Sequence, residues 1–265
     1  MVSLTTRLDI SSPDAYKDVF KDAEDITAVI HTASPFHLTF QKPEELLLPA
    51  INGTRNLLHT IKYAAPQVKR VVITSSFASI TDPSKGMRPG HVYSENGDLC
   101  HSTSVASILT YCVFRLDWNP ITREEAMDPA AAKIDVYRAS KKLAEKVVEE
   151  FMQEFDPPFS VVTLCPPMVF GPIINDQSLG NLNTSNAGIW DLLSGKVESI
   201  TPNRVHHWVD VRDLGEVHAK AVEVDLGTSK YERYFIVADE TYSNQDTADI
   251  LRKARSAVHA IEQEL

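Results

Sequence analysis

Tyr137 and Lys141, in the run Tyr137-Arg138-Ala139-Ser140-Lys141, stand four residues apart, which on a helix is one turn along the same face. A phenol ionises near 10, so it needs help to exchange a proton near neutral pH. A cation within ~4–6 Å favours the phenolate and lowers the cost of giving up the proton. The spacing alone also fits a plain amphipathic helix with an exposed lysine. The run Thr74-Ser75-Ser76 strengthens the chemical reading. It ends an apolar segment, where open α/β sheets bind ligands and a hydroxyl can hydrogen-bond a carbonyl oxygen.

Other reactive side chains carry less. His206 and His207 precede Asp210 without a third ligand at metal spacing, so no metal site is expected. Cys100, Cys112 and Cys165 form neither a paired set nor a C-x-x-C, and read as ordinary thiols. Glu145, Lys146, Glu149 and Glu150 read as a solvated helix face.

Several elements must place Tyr137 beside Ser76. TAVIHTAS (27–34) and KRVVITSS (69–76) are short apolar runs ending in small polar residues, as buried strands do. Between them Leu47, Ile51, Thr54, Leu57, Leu58 and Ile61 recur at helical spacing, predicting a helix that begins near Pro49. A second helix is expected over 133–155, followed by a strand in FSVVTLCPP (159–167). HHWVDV (206–211), a helix to about 223, RYFIVA with a strand to 238, and a helix from Ser243 continue the alternation. The class is therefore α/β with a mostly parallel sheet. Turn-rich stretches at 82–98 and 171–188 are the expected loops around a site.

Composition narrows the partners. The 265 residues, 43% apolar and 23% charged, suffice for a buried core, and the net charge of −10 repels a nucleic-acid backbone. No run approaches the ~18 apolar residues of a membrane helix. The expected location is cytoplasmic, with no membrane or nucleic acid partner and the oligomeric state left open. The first of only ten glycines is Gly53, and none falls in G-x-G-x-x-G spacing.

HTASPF (31–36), AINGT (50–54), RVVITSS (70–76), DWNPIT (117–122), YRASK (137–141), CPPMVFGP (165–172) and DVRDLGEVHA (210–219) follow one another as in extended short-chain dehydrogenases. The chain resembles this NAD(P)-dependent epimerase/dehydratase family over residues 5–250. The nearest branch is the dihydroflavonol 4-reductase, cinnamoyl-CoA reductase and fungal ketone/aldehyde reductase group. The resemblance implies a Rossmann-like doubly wound parallel sheet, N-terminally truncated, with a small C-terminal substrate-binding portion. It divides the chain into an incomplete cofactor domain, 1–170, and a mainly substrate-binding portion, 171–265, with 205–223 returning to the sheet.

The activity implied is NAD(P)H-dependent reduction of a ketone or aldehyde, in secondary metabolism by association, with NADP(H) favoured over NAD(H). Tyr137 matches the general acid, Lys141 the residue that assists it and holds the nicotinamide ribose, and Ser76 the hydroxyl that polarises the carbonyl. Thr32, Ala33, Ser34, Thr74, Ser75, Tyr137, Lys141, Pro166 and Val169 match positions along the cofactor, and Asp9 one near the adenine. Asn52 matches a proton-relay asparagine, or is a polar residue beside Gly53. Phe36, Phe77, Met168 and Trp190 line an apolar pocket or belong to the core.

Two departures set alternatives beside this reading. Residues 5–9 match the family's third strand, so the Gly-rich βαβ unit precedes the matched region and TAVIH is expected to lack its usual neighbours. The chain reads as a fragment of an enzyme or as a relative that has lost cofactor binding and acts through a partner, and an epimerase or dehydratase uses similar machinery. The 61 residues from Ser76 to Tyr137 also exceed the family spacing. Residues 97–116 read as an insertion or retained intron, expected to form a loop over the substrate side.

Overall fold

The computed structural model describes residues 9–21, 25–85, 109–113, 118–174, 182–197, 199–200, 202–203 and 205–264. Its main sheet contains β1 (Ala28–His31), β2 (Arg70–Thr74), β4 (Ser160–Cys165), β7 (Tyr231–Ala238) and β3 (Leu109–Val113), in the order β1-β2-β4-β7-β3. The first four are parallel, and β3 runs antiparallel to β7.

The apolar runs are nearly continuous because both faces of the sheet are covered. Successive strand side chains point to opposite faces. Val71, Ile73 and Val161 pack with Leu57, Leu58 and Ile61 of α1 (Glu44–Ala64) and with Val148, Phe151 and Met152 of α3 (Lys133–Phe155). Val72, Val162 and Leu164 face the other way, toward Leu214 and Ala221 of α5 (Val211–Glu223). Arg70 fastens the end of α5 to β2 by donating to the carbonyls of Ala221 at 3.0 Å and Val224 at 2.6 Å.

Four expectations change. Helix α1 starts at Glu44, and Pro49 lies inside it. The Glu45 carboxylate accepts from Lys42 N at 3.1 Å, which helps to satisfy the start of the helix. The strand in 206–211 is not part of the main sheet: β6 (Trp208–Asp210) pairs in parallel with β5 (Met168–Phe170) as a separate two-stranded sheet. Of the returning segment 205–223, α5 covers the main sheet and Val209 of β6 packs into the same cluster. Conversely β7, placed by sequence in the substrate-binding portion, is an inner strand of the main sheet, because its alternating apolar residues fill both faces.

The expected loop over 97–116 is corrected at 109–113, which forms β3 and takes up the hydrogen-bonding edge that β7 offers. The rest of that segment, and residues 5–8 of the matched third strand, lie outside the described residues. Within the described sheet β1 is an edge, and Ile30 is 46% exposed there.

Three further helices complete the frame. The α2 helix (Arg123–Met127) is closed by a reciprocal cap between Thr122 and Glu125. The C-terminal portion contributes α4 (Thr184–Leu193) and α6 (Asn244–Glu264).

Candidate active site

Beyond β2 the chain turns through one 3₁₀ turn, Phe77–Ser79, with Ser76 as its cap: Ser76 Oγ accepts from Ala78 N at 3.1 Å. The Phe77 N–H donates to the Pro166 carbonyl at 2.9 Å, so the segment after β4 supports this turn from below. Asn119 holds it from the side. Its buried amide donates to the carbonyls of Ala78 and Arg138, both at 2.9 Å, and accepts from Ile121 N at 3.2 Å. Arg138 follows Tyr137, so one side chain spans the Ser76 turn and the first turns of α3.

Tyr137 and Lys141 lie on that helix as the spacing predicts. The phenol feels the Ser76 hydroxyl, and the Lys141 ammonium sits 5.9 Å from the phenol ring centroid. The expected direction of the phenol's titration is corrected. Burial pushes Tyr137 above its ordinary 10, with the Ser76 hydroxyl pulling the other way, so it is a protonated donor at neutral pH. Lys141 is 8% exposed, and burial holds its ammonium down, to about 8, against the opposing pull of Glu145. Burial and the nearby Lys141 charge keep His31, at the end of β1, neutral, its pKa lowered to about 4.

Thr74 and Ser75 hydrogen-bond to protein groups. The His218 ring lies with Nδ1 2.8 Å from the Leu214 carbonyl and Nε2 2.6 Å from Thr74 Oγ1. A carbonyl only accepts, so Nδ1 donates to Leu214, and Nε2 shares its hydrogen bond with Thr74. Ser75 donates inward to Glu145. The solvated-face reading of Glu145 is thereby overturned: the residue is 1% exposed and pairs with Arg233 at 2.6 Å.

The remaining candidates divide by position. Thr32 and Ala33 are exposed and Ser34 half-buried on the segment after β1, and Phe36 meets the Tyr137 ring edge-on at 4.6 Å. Phe77 is core, stacked on Phe235 at 4.6 Å. Val169 packs against the cluster under α5. Met168 lies half-buried in β5 and Trp190 half-buried in α4. Asp9 accepts from Ser11 N at 2.8 Å in a segment docked on α1, and no bond among the described residues joins it to Tyr137. Asn52 accepts from Arg55 at 3.4 Å on a continuous helix. His206 reaches the Tyr242 carbonyl and His207 packs edge-on against Phe77. No metal-binding cluster occurs among the described residues.

The NAD-binding family described as male sterility protein matches residues 7–222. The chain belongs to this family of extended short-chain dehydrogenases. It is 39% identical over 250 residues to a ketoreductase of Aspergillus niger, covering 92% of this chain and 64% of the relative. It is 34% identical over 252 residues to an NADPH-dependent methylglyoxal reductase of Saccharomyces cerevisiae, covering 92% and 66%. The structure of a Candida albicans relative in complex with NADPH superposes with a TM-score of 0.75 at 29% identity, covering 92% of this chain and 66% of that one. The family member thus spans under two thirds of the length of these relatives. No helix among the described residues is long and apolar enough to cross a membrane.

The nicotinamide end of such a cofactor fits the residues present. Lys141 is a nearly buried cation that makes no hydrogen bond among the described residues, and the paired hydroxyls of a ribose are suitable acceptors for it. A Gly-rich cradle for the pyrophosphate is not among the described residues, so the fit concerns the nicotinamide end alone.

Proposed function

We propose that this chain carries the catalytic residues of an NADPH-dependent reductase of ketones or aldehydes. The observation that carries the reading is the convergence of Ser76, Tyr137 and the unbonded Lys141 ammonium beyond the end of β2. Ser76 orients the carbonyl oxygen. Tyr137, kept protonated by burial, donates its proton to that oxygen, and the Lys141 charge stabilises the phenolate left behind. A bound NADPH supplies the hydride. Lys141 with Thr32, Ala33, Ser34, Pro166 and Val169 would hold the nicotinamide end, and Asp9 belongs to the adenine side.

Phe36, at the mouth beside Tyr137, favours an apolar substituent on the carbonyl. Residues 1–170 serve mainly the cofactor and 171–265 mainly the substrate, with β7 and α5 built into the cofactor sheet. The reading assigns the cytoplasm as compartment, since three cysteines without paired spacing suit reducing conditions. A place in secondary metabolism follows from the branch alone.

NADPH and NADH titrations followed by quenching of Trp118, Trp190 and Trp208, together with NADPH oxidation in the presence of ketones and aldehydes, test this. Saturable binding with NADPH preferred is expected, with kcat falling as pH rises through about 8 and Lys141 loses its proton. Tyr137→Phe should lower kcat by at least ~100-fold with the fold retained. A folded sample that binds neither nucleotide, or a variant of unchanged turnover, overturns the reading.

A further inference from the structure

Tyr137, Lys141 and Glu145 are spaced four residues apart along α3, so one face of this helix carries a phenol, an ammonium and a carboxylate in sequence. The carboxylate end is the most enclosed. Glu145 is 1% exposed and Arg233 2% exposed, with Arg233 Nε donating to Glu145 Oε2 at 2.6 Å. The other carboxylate oxygen accepts from Ser75 Oγ. The Cys165 thiol, at the end of β4, lies 3.7 and 3.8 Å from the two oxygens. Burial and the Glu145 charge push that thiol far up, so it remains a neutral donor.

The pair is sealed by an aromatic ring. The Arg233 guanidinium stacks 3.7 Å from the Trp118 ring centroid, and Lys146 lies 4.0 Å from the same ring. Trp118 and Asn119 are neighbours, so the DWNPIT run covers this pair with one residue and clamps the Ser76 turn with the next. An isolated buried ion pair seldom adds stability over apolar packing, so its place next to the reacting groups calls for another account.

We infer that Glu145 is a positioning residue for the Tyr137–Lys141 pair. Held by Arg233, its carboxylate ties α3 to Ser75, the residue before Ser76, and presents a negative charge to the Lys141 ammonium one turn away. Three parts of the sheet reach this carboxylate: the residue after β2 through Ser75, β4 through Cys165 and β7 through Arg233. The ionisable groups around it are Lys141 on its own helix, Cys165 on β4, and Arg233 and Tyr231 on β7. Lys141 additionally faces His31 of β1, which is neutral. Glu145 is thus the acidic group that opposes the loss of the Lys141 proton caused by burial.

The inference rests on the reductase reading for its catalytic consequence, but its physical content can be measured without cofactor. The probe is the ¹³Cε resonance of Lys141 in the labelled chain, assigned by Lys141→Arg and followed across pH. Glu145→Gln alone strands the Arg233 charge, so the double variant Glu145→Gln with Arg233→Met removes both charges together. In a double variant shown to fold by circular dichroism, the Lys141 midpoint should fall by about one pH unit. The alkaline limb of kcat for NADPH-dependent carbonyl reduction should move with it, while KM for the carbonyl stays within about twofold. A merely structural pair would leave that midpoint in place, and an unmoved midpoint in the folded double variant overturns the inference. A midpoint that moves in a chain without turnover counts for Glu145 and against the reductase reading, which separates the two failures.

Discussion

The two segments that flank Tyr137 are built differently. On one side, the segment 74–79 is bound at nearly every residue: Thr74 to His218, Ser75 to Glu145, Ser76 to Ala78 N, Ala78 and Ser79 to Asn119. On the other, the segment after β1 has exposed Thr32 and Ala33, and Thr32 and Ser34 make no side-chain hydrogen bond among the described residues. Only its ends are fixed, through His31 against Tyr16 and Phe36 against Tyr137. The groups proposed to handle the proton are held in place before any ligand arrives, as electrostatic catalysis requires. Those on the proposed cofactor side, Thr32 and Ser34, leave their side-chain hydrogen-bonding capacity open to a ligand.

The contrast can be sharpened at the buried end of the looser segment. His31 has a pKa of about 4 in the fold against an ordinary 6.5, so the unfolded chain binds more protons between these values. Stability should fall as pH drops from 6.5 through about 4, by about 3 kcal/mol from this residue. Urea unfolding at pH 7 and pH 4 checks it, and His31→Leu should remove that part of the acid loss. An unchanged loss in the variant would show that His31 does not fix this end.

The tethered segment is tested at Asn119. Asn119→Ala leaves the Ala78 and Arg138 carbonyls without their donor and should cost about 2 kcal/mol in the thermal or urea midpoint. It should also lower kcat more than it raises KM for the carbonyl. A neutral outcome would erase the difference between the segments. The smallest effect belongs to Ser34→Ala, expected to change stability by no more than about 0.5 kcal/mol while weakening NADPH binding. A larger loss of stability would mean that the segment after β1 is also held by its side chains.

Much of this was legible in the sequence, and the reason is local. Tyr137 and Lys141 share a helix face because their spacing equals one turn, and Ser76 follows a buried strand because RVVIT is apolar on both faces. Glu145 was misread because it neighbours Lys146 and Glu149, a pattern typical of solvent-facing helices. The available signal was its register with Tyr137 and Lys141. Arg233 gave only a weak one, a cation amid YERYFIVA. Asn119 stood within a recognised motif, but a clamp between two distant segments has no local pattern.

By itself, then, the amino-acid sequence determined the α/β alternation, the helix face shared by Tyr137 and Lys141, and the family, since each depends on periodicity or on short ordered motifs. Tertiary structure alone decided which hydroxyls bond to protein groups, where β6 and β3 pair, and that a glutamate is buried with an arginine. Those outcomes depend on which groups from distant segments satisfy one another once water is excluded, and no spacing along one chain encodes that choice.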